Sequence, residues 1–120
     1  MLFNIKATNV KLSEGILTHV ENKLAPLGTK LKRFGDGVKI DVEVGLESRH
    51  HKKGDVYRAE INISLPPKKR IRAVSKGEDL YSAVIEVKKD ADRQLRDHKE
   101  KLQAKVRAGS REAKQKAVRS

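Results

Sequence analysis

Five cations stand close together late in the chain: Lys88, Lys89, Arg93, Arg96 and Lys99. At about 100° per residue they fall in one broad arc of a helix, interrupted by Asp92 and Glu100. Glu86, Asp90 and Asp97 fall in a separate arc. Ammonium and guanidinium groups along one flank of a rod suit the phosphates of a nucleic acid. Such contacts give affinity and salt dependence but little reading of base sequence. An earlier helix places Lys23, Lys30 and Arg33, with His19, off its apolar side, so it too is basic outside. Arg49 to Lys53, RHHKK, adds a further group of basic-type residues in a polar loop.

The same inventory offers little for catalysis. His50 and His51 are adjacent, so on a strand they point to opposite faces, and the cations around them repel a metal ion. Asp41 and Glu43 lie on the wet side of a strand and line no cleft. There is no HExxH, no phosphate-binding glycine loop and no nucleophile elbow. Cysteine is absent, which removes thiolate metal sites, disulfides and a cysteine nucleophile. The expectation is a binding protein and not an enzyme, with no cofactor and no metal.

A net charge of +12 over 120 residues and a sequence pI near 10.1 favour a polyanionic partner. No apolar run is long enough to cross a bilayer, and MLFNIKATNV lacks the form of a signal peptide. The expectation is a soluble, cytoplasmic protein with no membrane partner. Aromatic residues are few: Phe3, Phe34, Tyr57 and Tyr81. Phe3 and Tyr57 share the phase of the core, so the wet face of a sheet has no stacking platform for single strands. Structured RNA, ahead of duplex DNA, is the ligand that remains. The acidic arc of Glu86, Asp90 and Asp97 supports an alternative of another class, a regulator that binds proteins.

The elements that position these residues follow from periodicity. Phe3, Ile5 and Ala7 alternate with polar residues and predict a strand. Ser13 is a candidate N-cap for a helix carrying Ile16, Leu17, Val20 and Leu24 inward. Pro26 is expected to kink or end it, with a further turn or two through Leu27 and Leu31. Val38 to Val44 and Tyr57 to Leu65 alternate clearly, and Ile71 and Ala73 mark a short fourth strand after Pro66-Pro67. Ser75 and Glu78 have capping-box spacing ahead of a long helix to Leu102. Its stripe is Leu80, Val84, Val87, Ala91, Leu95 and Leu102. The order β-α-β-β-β-α predicts an α+β fold, a four-stranded mixed sheet with two helices packed on one face. Residues 1–102 form the folded domain. Residues 101–120 hold seven cations and one acid, and 103–120 read as a basic tail, frayed helix first and then a disordered arm.

Several of these stretches resemble a known family. Gly77-Glu-Asp-Leu-Tyr81 with Ala83, then Arg93-Gln-Leu95, Lys99 and Lys101, look like the second helix of bacterial ribosome hibernation-promoting factors. RQLRDHKEKL is especially similar to the short form, and NIKATNVKLSEGI to the family's first strand and helix start. The likeness covers about residues 1–102. It implies a fold akin to double-stranded-RNA-binding domains. It also implies docking on the small ribosomal subunit and its ribosomal RNA, in the messenger and transfer RNA channel, where occupancy blocks translation and preserves idle ribosomes. Arg93, Lys23 and Lys99 match recurrent basic positions, while Lys88, Lys89 and Arg96 are assigned by helical projection. The long form carries a second, dimer-forming domain, which a chain ending at Ser120 is expected to lack. A monomer is expected when free; if it promotes ribosome pairing it needs a second factor, and if the tail instead enters the messenger path it opposes pairing. Asp90, Ile85 and the Pro26-Leu27-Gly28 interruption depart from the family pattern.

Overall fold

Strict alternation of apolar and polar side chains gives the four strands their two unlike faces. In the computed structural model, residues 3–35, 37–50 and 54–119 are described, with backbone alone for 48–50 and 109–119. The strands are β1 (Phe3–Thr8), β2 (Lys39–His50), β3 (Gly54–Leu65) and β4 (Lys69–Gly77). The helices are α1 (Glu14–Leu31), extended by a 3-10 turn over Lys32–Phe34, and α2 (Leu80–Arg119). The sheet runs β1-β2-β3-β4, with β1 parallel to β2 and the other neighbours antiparallel. This is the expected mixed sheet, in the expected β-α-β-β-β-α order.

Register converts the alternation into rows. Ile5, Val42, Ile61 and Ala73 lie side by side across the sheet, as do Phe3, Ile40, Ile63 and Ile71. These rows meet Val20, Leu24, Leu27 and Leu31 of α1 and Leu80, Ala83, Val84, Val87, Ala91 and Leu95 of α2 in one core. Truncating a side chain as enclosed as Leu24, which has no solvent exposure, costs about 2–5 kcal/mol. The opposite rows are polar: Asn4, Asp41, Asn62 and Arg72 form one, and Lys6, Glu43, Glu60 and Val74 the next.

Local signals set the helix ends, with two departures from the sequence reading. Ser13 caps α1 as expected, its hydroxyl accepting from the Ile16 N–H at 3.2 Å. Pro26 neither ends nor interrupts α1, which runs on to Leu31. Its ring costs the Asn22 carbonyl a partner, but Leu27, Gly28 and Leu31 are buried and hold the last turn against the core. The second departure is the cap of α2. Ser75 belongs to β4, paired with Ala59, so it cannot open a helix. Asp79 does so instead, accepting from the Ser82 N–H at 2.7 Å. That hydrogen bond holds the Asp79 carboxyl below its usual pKa.

α2 also outruns its expected end. Helical backbone continues past Leu102, the last residue of the expected apolar stripe, to Arg119. Good helix formers such as Lys, Gln, Ala and Arg dominate that segment, and no proline breaks it. Residues 101–108 are all exposed, so this stretch leaves the packed body behind. Leu102 shows the change: it continues the apolar spacing yet is 40% exposed. The molecule is accordingly 72 Å long and only 30 by 20 Å across.

Candidate nucleic-acid interface

The two helices lie side by side on the sheet, and one carboxylate joins their basic flanks. Asp92 Oδ1 accepts from Lys30 Nζ of α1 at 3.4 Å. Its Oδ2 forms an ion pair with Lys88 Nζ, four residues back on α2, at 3.0 Å. The bridge fixes the rotation of α2: Asp92 faces α1. Gln94 points the other way, its amide donating to the Arg72 carbonyl of β4 at 2.8 Å. The arc carrying Lys88, Lys99, Arg96, Lys89 and Arg93 therefore begins at the α1 side. Asp90, which accepts from Gln94 at 3.2 Å, marks the acidic edge on the β4 side.

Each sequence-predicted cation can be placed on this surface. Lys23 and Lys30 are exposed on α1, and Arg33 on the 3-10 turn. Lys89, Arg93, Arg96 and Lys99 are exposed on α2, with Lys88 half-buried between the helices. Lys89 pairs with Glu86 at 3.4 Å and Arg93 pairs with Asp90, both one helical turn apart. Among the described residues, Lys23, Arg33, Arg96 and Lys99 make no ion pair. The pairs that exist have exposed members and contribute about 0.2–1 kcal/mol each. A phosphate can take the place of such a carboxylate at little cost. The Arg49–Lys53 loop cannot be placed in the same way. His51, Lys52 and Lys53 lie outside the described residues, as do the side chains of Arg49 and His50.

The polar face of the sheet is built differently. Glu60 Oε1 accepts from Arg58 at 2.8 Å and from two nitrogens of Arg72 at 3.0 and 2.7 Å. Its Oε2 accepts from Asn62 at 3.0 Å. The Glu60 side chain is 13% exposed, and the Arg72 hydrogen bonds hold its pKa below the usual value against the opposing effect of burial. Asn4 donates to Asp41 at 3.2 Å and Thr8 to Glu43 at 3.3 Å, and Lys76 forms an ion pair with Glu47 at 2.9 Å. Beside them, Gly45 lets β1 approach closely: a Cβ there would lie 2.5 Å from the Thr8 carbonyl oxygen. Both signs of charge are thus cross-linked around Glu60 and Glu47, while Lys6, Lys39 and Arg70 make no ion pair among the described residues.

Sequence reasoning missed the joining role of Asp92 and the Glu60 cluster. The Lys88–Asp92 spacing of four residues was a usable signal for half of the bridge. Its other half, Lys30, comes from a distant element and gave none. No group of three or more His, Asp or Glu side chains suited to a metal occurs among the described residues. No helix among them is long and apolar enough to cross a membrane.

Residues 3–103 match the family described as Sigma 54 modulation protein / S30EA ribosomal protein. The chain belongs to that family. It is 32% identical over 106 residues to a ribosome hibernation promotion factor of Lactococcus lactis subsp. cremoris (strain MG1363), covering 88% of this chain and 53% of the relative. A ribosome hibernation promotion factor of Bacillus subtilis (strain 168) is also 32% identical, over 108 residues, covering 89% and 53%. The chain thus spans about half the length of these curated relatives. The N-terminal domain of Thermus thermophilus Protein Y superposes with a TM-score of 0.52 at 28% identity, covering 76% of this chain and 86% of that one. The matched span takes in all four strands, both helix starts and the whole Lys30–Asp92–Lys88 bridge.

Proposed function

We propose that this chain binds the small ribosomal subunit in the channel of messenger and transfer RNA, blocks translation there and stabilises idle ribosomes in the cytoplasm. The observation that carries the reading is the joined cationic flank of α1 and α2, in a fold whose S30EA relatives are named for ribosome hibernation. The mechanism is steric. A preformed body fills the RNA groove, and many weak cation–phosphate contacts hold it, so affinity falls steeply with salt. Lys23, Lys30, Arg33, Lys88, Lys89, Arg93, Arg96 and Lys99 supply the contacts. The body is residues 1–102, and the basic segment 103–120 is an accessory arm that adds phosphate contacts and no core.

Competition on isolated small subunits tests the placement. The chain and initiator transfer RNA should exclude one another, with the apparent affinity of each falling as the other is added. Simultaneous saturation of both would overturn the channel as the site. Equal affinity for any RNA duplex of similar length would show a generic duplex-binding module instead.

A further inference from the structure

The core-facing stripe of α2 changes character where the helix leaves the body. Val84, Ala91, His98 and Lys105 succeed one another at seven-residue steps on one side of the rod. The first two are buried, His98 is half-buried and Lys105 is exposed. The chain therefore turns imidazole and ammonium groups toward the side that, one turn earlier, packs on the sheet. His98 stacks on Phe34 of the 3-10 turn, with ring centroids 6.1 Å apart and planes inclined by 26°. Lys32 and Arg33 flank Phe34 and are exposed. Lys69, at the start of β4, acts on the imidazole from a third element, and Lys101 and Lys105 act from α2 itself. Among the described residues, every charge acting on it is positive. Asp97 and Glu100 project from the far side of the rod, about 100° and 160° away in rotation from His98.

We infer that this junction of the 3-10 turn, β4 and α2 is a binding site for an RNA backbone phosphate, and that His98 takes up a proton when the phosphate binds. The inference rests on the RNA-binding reading above and adds to it a site, an anion and a proton. Lysines of two elements, β4 and α2, act on one partly enclosed imidazole that stacks on the 3-10 turn, and among the described residues no carboxylate answers them. That is the reverse of the Asp92 bridge, where the protein supplies its own anion. An incoming phosphate supplies the missing negative charge. In its absence, burial and then the three lysines hold the His98 pKa below its usual value. A phosphate opposes the lysines, so the bound pKa is higher than the free one. Binding then strengthens as pH falls through the bound value, and the gain saturates below the free value.

Affinity of the full chain for small ribosomal subunits, measured from about pH 8 to about pH 5.5, tests the inference against the His98→Gln variant. The wild-type chain should gain about threefold to tenfold on acidification, the linkage of an upward pKa change of about half a unit to one unit. His98→Gln should lack the acid gain, its affinity staying level across the same pH range. An unchanged acid gain in this variant overturns the site while leaving ribosome binding in place. If neither chain binds subunits at any pH, the ribosome reading fails, and a second measurement judges the site alone. In NMR titrations of the full chain, tripolyphosphate should raise the His98 imidazole pKa by about one unit, and much less in a Lys69→Ala, Lys101→Ala, Lys105→Ala variant. An imidazole that titrates identically with and without tripolyphosphate overturns the site.

Discussion

The helical flank and the Glu60 cluster on the open face of the sheet carry cations of the same kinds, yet only the flank can give its cations to a ligand at little cost. On the sheet, Arg58 and Arg72 converge on one carboxylate that is 13% exposed. Releasing them would strand that carboxylate in a poorly solvated place. On the helices, Lys89 pairs with a Glu86 that is 58% exposed, which water can satisfy as well as the lysine does. Arg96 and Lys99 have no such partner among the described residues. Counting charges does not separate these faces. What separates them is the burial of the anion, because that sets the cost of exchanging it for phosphate.

The largest effect expected from this difference is on binding. Lys89→Glu, Arg93→Glu and Arg96→Glu together should abolish co-sedimentation with small ribosomal subunits. Charge-assisted contacts are worth about 1.5–3 kcal/mol each, so three of them amount to a loss above about a hundredfold. The slope of log affinity against log salt should become shallower by about three. The matching change on the sheet face, Lys6→Glu with Lys39→Glu, should leave sedimentation nearly unchanged. Equal losses from both sets would show that net charge, and not a surface, governs binding.

The next effect is on stability, and it belongs to the sheet. Glu60→Gln keeps the shape of the side chain and removes the charge that Arg72 and Arg58 share. A cost of about 2 kcal/mol is expected, read as a lower thermal midpoint, with ribosome binding intact. The pH dependence has a definite sign. The folded pKa of Glu60 lies below its ordinary 4.5, so its contribution is fully present above 4.5. It is lost as pH falls through the lowered folded value. Glu60→Gln should therefore narrow its deficit against wild type in acid. A constant deficit would mean that shape and not charge carries the contribution.

Much of this architecture was legible because one period governed each stretch. Alternation from Val38 to Val44 and from Tyr57 to Leu65 could bury one face only in a sheet, and the apolar rows follow directly. The cap at Ser13 was legible because its signal is local. The cap of α2 was misread for an instructive reason: Ser75 offers the right chemistry, but β3 continues and claims β4 as far as Gly77. Strand pairing is a distant interaction that no local spacing shows. Helical backbone runs past the last apolar anchor of α2, because loss of such anchors marks the edge of a core and need not end a helix. Within the interface, the exposed cations of α2 were legible from rotation about one axis. Lys30 meeting Asp92 needed two axes and the distance between them.

Asp92 gives the smallest effect and the sharpest use of the contrast. It resembles Glu60 in holding two cations, but it sits on the binding flank and is 19% exposed. Two opposed roles follow from one geometry. By drawing Lys30 and Lys88 together it makes the flanks of α1 and α2 continuous, which prepares a single phosphate-binding surface. By neutralising them it competes with the phosphate. Lys30 is 59% exposed, so its half of the bridge is screened and costs little to give up. The Lys88 half runs from Lys to Asp toward the C-terminus, the weaker orientation for a pair on a helix. Competition should therefore outweigh preparation. Asp92→Asn should tighten binding to small subunits by about threefold at low salt, steepen the salt dependence and lower stability by less than about 1 kcal/mol. A loss of affinity on the same substitution would reverse that order and make Asp92 the strut on which the surface depends.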